Sequence, residues 1–119
     1  MSETLTRLSD DLAEAVTKAD PHVVRVQARS RLPASGVVWS QDGVIVTTHH
    51  VIERDENIEV GLADGRKVAA TFVGRDPSTD LAVLRADADG LPEPAWAEPD
   101  RVRVGHLVLA LGRPGSGVL

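Results

Sequence analysis

Apolar residues first recur at steps of three and four, then at steps of two. Leu5, Leu8, Leu12 and Val16 make one face of a helix, with Ser9, ahead of Asp10 and Asp11, as the cap of a later start. Asp20-Pro21 is predicted to end it, because the residue before a proline is pushed out of the helical region. Beyond it, "HVVRVQAR" (residues 22–29) alternates as a strand does, with Val24, Val26 and Ala28 on one face. "SGVVWS" and "VIVTT" flank Gln41-Asp42-Gly43, a hairpin signal, since Gly43 can take positive φ at the turn. A second hairpin alternates through Ile58, Val60 and Leu62 to Asp64-Gly65, and away through Val68, Ala70 and Phe72. "DLAVLRA" (80–86) and "HLVLALG" (106–112) are apolar on both faces, as central or barrel strands are, and Pro92, Pro94 and Pro99 mark an irregular loop between them. One helix and six or seven closely spaced strands predict a small antiparallel β-barrel or a sandwich.

Composition narrows this picture only at a few points. A chain of 119 residues holds one core of ordinary size. That core must be aliphatic, because Trp39, Phe72 and Trp96 are the only aromatics. The apolar share of 42% and charged share of 26% are those of a globular protein. A net charge of −5 disfavours nucleic acid as a partner, and Arg25, Arg29 and Arg31 read as a solvated strand face. With no cysteine, disulfides and thiolate zinc sites are excluded and the redox compartment is undetermined. No stretch approaches the roughly 20 apolar residues that cross a bilayer, and the N-terminus lacks the apolar core of a signal peptide. As written, the chain reads as soluble and not exported, either natively or because a leader has been removed.

The candidate chemistry lies in "VIVTTHHVIE". An acyl-transfer site needs a histidine within reach of a nucleophile and a carboxylate on its other ring nitrogen, which fixes the tautomer and stabilises the imidazolium. Asp80 heads an apolar run thirty residues after His50 (80 minus 50). Leading "LAVL", it should be partly buried and in need of a partner, for which a histidine N–H or backbone amides are the candidates. On residue types alone, Asp80 could equally cap a turn through "DPSTD", with His49 and His50 at a polar loop edge.

Three ordered motifs sharpen the choice. "SGVVWSQDGVIVTTHHVIE", "LADGRKVAATFVGRDPSTDLAVLR" and "RVGHLVLALGRPG" together resemble the N-terminal half of the protease domain of the HtrA (Deg) family of trypsin-like serine proteases, over about residues 21–115. The resemblance implies an all-β fold: residues 1–20 form a helical segment, and residues 21–119 the first barrel of a double-barrel protease. It also implies that His50, directly before Val-Ile and three residues after Thr47, is the catalytic histidine, and that Asp80 is the catalytic aspartate. His49 departs from the small residue usual there, and is expected to be a surface or supporting histidine facing away from Asp80. Arg113 stands where the family has the asparagine of Gly-Asn-Pro. The Gly-Asn-Ser-Gly-Gly segment, with the nucleophile and oxyanion hole, has no counterpart, and neither Ser35 nor Ser116 takes its place.

The implied function is the base-carrying part of a serine endopeptidase of protein quality control, acting on unfolded or damaged polypeptides in the full-length protein, with no metal and no cofactor. Family members commonly work in the periplasm or cell envelope. "GRPGSGVL" ends on a turn running into an apolar pair, so the chain reads as cut short, and alone it is expected to hydrolyse nothing. Its exposed barrel face is expected to self-associate. Three rivals stand beside this reading. One is a zinc site on His49, His50 and Glu53, drawing on His22 or His106. Another is a non-catalytic barrel used for binding or assembly. The third is phosphate binding by "GRPGSG", against which a plain turn is the simpler account.

Overall fold

The computed structural model describes residues 2–29 and 32–119. Helix α1 (Glu3–Ala19) is capped by Ser2, whose hydroxyl accepts from the Leu5 N–H at 3.1 Å, so the helix starts a full turn and more before Ser9. Asp20 keeps helical angles (φ −45°, ψ −50°), contrary to expectation, and the chain tightens into a 3₁₀ turn, Asp20–His22. Pro21 sits at the start of that turn, where its missing N–H breaks no bond. No α1 residue is buried, and its apolar stripe stays open to solvent, with Leu5 at 52% and Leu8 at 41% exposure.

Six strands follow among the described residues: β1 (Val23–Gln27), β2 (Ala34–Val38), β3 (Val44–Thr48), β4 (Ile58–Gly61), β5 (Lys67–Asp76) and β6 (Leu81–Ala86). All neighbours are antiparallel, and the order β1-β2-β3-β6-β5-β4 closes on itself through β1 and β4, giving the expected barrel. Alternation does the work. Val24, Val26, Val38, Ile45, Val60 and Leu84 point inward and are at most 1% exposed. Burying each such side chain contributes about 1.5–3 kcal/mol. Strand β5 serves two neighbours, pairing β4 through Lys67 to Ala70 and β6 from Ala70 onward. A register shift between Phe72 and Gly74 throws Val73 outward and bends the strand around the barrel corner.

Both hairpin turns form where Asp-Gly predicts them. Gly43 (φ 105°) packs so closely that a Cβ there would lie 2.6 Å from the Ala86 carbonyl oxygen. Gly65 (φ 92°) has open space around it. The predicted seventh strand does not form: residues 106–112 join no sheet, and Leu107, Val108 and Leu109 are exposed. A closed barrel has no free edge to receive it. Strand β6 is apolar on both faces because Leu81 and Val83 join Trp39, Val44 and Val46 in an apolar patch on the outer surface. Trp96, from the irregular proline loop, tilts against Trp39 at 4.8 Å between ring centres.

The described part of the basic stripe is partly covered. Arg25 is mostly covered and pairs with Glu59 at 3.7 Å, Arg29 turns its Nε onto the Leu32 carbonyl at 2.6 Å, and Arg31 lies outside the described residues. Among the described residues no helix is long and apolar enough to cross a membrane.

Candidate active site

Strand β3 ends at Thr48, paired with Leu81 at the start of β6, so the residues just past each strand end meet. On one side the chain leaves β3 in a 3₁₀ turn, His49–Val51. On the other, the β5–β6 turn is built by Asp76, whose Oδ1 accepts from the Ser78 N–H (3.1 Å) and hydroxyl (2.7 Å) and whose Oδ2 accepts from the Thr79 hydroxyl (3.0 Å). This turn delivers Asp80 in the left-handed region, φ 59°, which a short polar residue tolerates better than most. Aspartate therefore caps the turn, as the simpler reading of "DPSTD" has it, but the cap is Asp76 and not Asp80.

Asp80 is wholly engaged with the histidine turn. Its carbonyl accepts from the His49 N–H (2.9 Å), its Oδ1 from the His50 N–H (2.9 Å), and its Oδ2 from His50 Nδ1 at 2.6 Å. An ionised carboxylate only accepts, so the proton lies on Nδ1 and the neutral ring presents a lone pair at Nε2. The His50 ring bond, then the His50 amide, hold the Asp80 carboxyl below its ordinary value. Both side chains remain open to solvent, at 66% for His50 and 45% for Asp80. No serine hydroxyl among the described residues bonds to His50.

The structure thus brings His50 and Asp80 together and separates the neighbouring histidine. His49 hydrogen-bonds Asp80 only through its backbone, and its half-buried ring leaves Nδ1 covered and without a hydrogen-bond partner. Glu53 lies past the 3₁₀ turn, its N–H on the Ala28 carbonyl at 3.0 Å, so it shares no helix with the histidines. His22 bonds through Nδ1 to the Pro92 carbonyl (2.7 Å), and His106 accepts from the Arg103 N–H (3.1 Å). Among the described residues no three ligating side chains cluster as a metal would need.

One polar centre was not legible from residue types. Arg113 is 2% exposed, and its guanidinium donates to the carbonyls of Val23 (2.7 Å), Ser116 (2.6 Å) and Asp20 (2.8 Å), and to the Asp20 carboxylate. Only its departure from the family's asparagine marked the position. Around it, Gly112 and Leu119 exchange backbone hydrogen bonds of 3.0 and 2.8 Å, so "GRPGSG" is a turn wrapped on an arginine.

Residues 34–118 match the family model of the trypsin-like peptidase domain. A probable periplasmic serine endoprotease, DegP-like, of Chlamydia trachomatis is 41% identical over 90 residues, which is 76% of this chain and 18% of that protein. A protein of the same description from Halomonas elongata is 45% identical over 80 residues, covering 67% of this chain and 17% of the relative. Among solved structures, an HtrA-type protease determined with a tripeptide superposes with a TM-score of 0.79 at 38% identity, over 89% of this chain and 37% of its own. The serine endoprotease from Yersinia pestis gives 0.63 at 46% identity, over 68% and 31%. The chain therefore spans about a fifth of the length of the curated relatives it matches.

Proposed function

This chain belongs to the HtrA/Deg family of trypsin-like serine proteases, and from that premise we propose that it supplies the general base, His50, and its orienting carboxylate, Asp80, to a serine endopeptidase. Residues 21–119 act as the first barrel and residues 1–20 as a helical arm. The nucleophilic serine and oxyanion hole come from sequence outside these 119 residues, as the greater length of the relatives allows. The observation that carries the reading is the double engagement of Asp80 with His50, ring and backbone, at the solvent-open end of two paired strands.

The chemistry follows from the tautomer. With Nδ1–H held by Asp80, Nε2 takes the proton of an approaching serine hydroxyl as its oxygen attacks the peptide carbonyl. The imidazolium that forms is stabilised by the adjacent carboxylate, and Nε2 then returns the proton to the leaving amine. Substrates are unfolded or damaged polypeptides. In the isolated chain the open apolar patch around Leu81, Val83 and Trp39 is covered by a second copy.

The test compares this chain with a longer protein that includes a Gly-Asn-Ser-Gly-Gly segment. The longer protein takes up a fluorophosphonate probe and cleaves casein, while the 119-residue chain does neither. In the longer protein, Asp80→Asn and His50→Ala each lower kcat by about 10⁴ or more. Probe uptake by the short chain, or full activity in His50→Ala, overturns the proposal.

A further inference from the structure

His50 stands at the end of β3, and the two flanks of β3 are held very unequally. Toward β6 the pairing runs over five register positions, from Val44↔Arg85 to Thr48↔Leu81. Toward β2 it covers only Val37↔Val46 and Val38↔Ile45, then stops. The last residues before the histidine turn thus have no backbone partner on the β2 side. A single side-chain bond takes over there: the hydroxyl of Thr47, 5% exposed, donates to the Ser35 carbonyl at 2.7 Å. Gly36 lets the strands close up at this point, since a Cβ on it would lie 3.1 Å from the Val46 carbonyl oxygen.

Ser35 is itself clamped from outside the barrel. Its hydroxyl accepts from the Arg113 N–H at 2.7 Å, and it packs tightly on residue 112, where a Cβ added to the glycine would lie 2.9 Å from Ser35 Oγ. Arg113 in turn is immobilised by the guanidinium bonds to Asp20, Val23 and Ser116. A buried arginine with every branch of its fork satisfied is a rigid post, because any displacement strands a charge or a carbonyl in low dielectric.

We propose that Arg113, Ser35 and Thr47 are positioning residues for His50. The arginine, seated on the start of β1, fixes Ser35, and Ser35 fixes the unpaired flank of β3 immediately before the histidine turn. Strand β6, itself paired with β5 as far as Asp76↔Leu81, holds only the opposite flank of β3, so beyond Val46 the Thr47–Ser35 bond is what ties this flank to β2. The inference rests on reading His50 as the general base. It places Arg113, which lies apart from the His50–Asp80 pair, in the support of that base.

Amide exchange on this 119-residue chain tests it, since the His49 and His50 N–H groups report opening of the turn and the Ile45 and Leu84 N–H groups report the barrel. Thr47→Val, which keeps the shape and removes the hydroxyl, speeds His49 and His50 exchange about tenfold relative to Ile45, and Thr47→Ser restores the parent ratio. Arg113→Lys acts in the same direction. An unchanged ratio in Thr47→Val, or no recovery in Thr47→Ser, overturns the proposal, and Thr47→Val keeps it open to refutation should Arg113→Lys fail to fold. The exchange ratio is read whether or not any peptide is cleaved, so failure of the peptidase proposal leaves this outcome separately legible.

Discussion

Replacing Arg113 by methionine keeps most of the buried volume and removes every donor of the fork. Three carbonyls, on Asp20, Val23 and Ser116, lose their partner together with the Asp20 carboxylate. Hydrogen bonds to a charged group contribute roughly 1.5–3 kcal/mol each when removed singly. They do not add here. The Asp20 carboxylate is 41% exposed and returns to water, and the substitution also relieves the desolvation of the guanidinium. What remains is a broken buried charged network, about 3–5 kcal/mol. For a domain of this size that lowers Tm by roughly 10–20 °C. Asp20→Asn is the informative partner, because it retains an acceptor oxygen and all three carbonyl bonds, and should cost only about 1–2 kcal/mol. Thermal and urea melts followed by circular dichroism measure both. If Arg113→Met melts within about 3 °C of the parent, or if Asp20→Asn costs the more of the two, the carbonyl network is not what holds Arg113 in place.

Other outcomes follow from single contacts. Asp80 and Asp76 are held below ordinary carboxylate values, the first chiefly by the His50 ring and the second by the Ser78 hydroxyl. A folded value below the unfolded one means that their stabilisation is present above about pH 4 and is lost as pH falls through the depressed values. Urea midpoints should therefore drop on acidification below about pH 4, and less steeply in Asp80→Asn. Gly43→Ala drives a Cβ to 2.6 Å from the Ala86 carbonyl oxygen and costs about 2–4 kcal/mol, whereas Gly65→Ala, in open space, costs only about 1–2 kcal/mol, as urea midpoints will show. Sedimentation velocity should find the chain associating as concentration rises, and Val83→Lys in the outer apolar patch should return it to monomer; a clean monomer at high concentration contradicts the proposed self-association.

Most of the barrel is legible because it is built from local rules. Alternation places Val24, Val26 and Ala28 inside, and Asp-Gly sets both hairpin turns. What fails is what depends on the whole. Residues 106–112 carry a strand's composition, but whether an edge is free to pair with them is decided by closure between β1 and β4, which no window of sequence contains. Ser9, ahead of two aspartates, reads as a cap, yet the helix is capped by Ser2 and runs on through Ser9. Arginine is almost never fully buried, so nothing in its type predicts the Arg113 post. The pair of histidines is undecidable from residue chemistry, since the 3₁₀ turn alone determines which ring meets Asp80.

Asp80 shows why the site is spelled as it is. Its φ of 59° costs on the order of 1–2 kcal/mol for a residue with a side chain, and glycine would remove that strain. Yet the same φ folds the residue back so that its carbonyl meets the His49 N–H while both carboxylate oxygens meet His50. Glutamate, one methylene longer, would not hold both oxygens against the ring and the amide of one residue at this backbone position. Asparagine would keep the turn but offer one acceptor where two are used, and its amide could turn the imidazole to the other tautomer. Position 80 must therefore tolerate the left-handed region, carry two equivalent acceptors and be short. Aspartate alone meets all three demands.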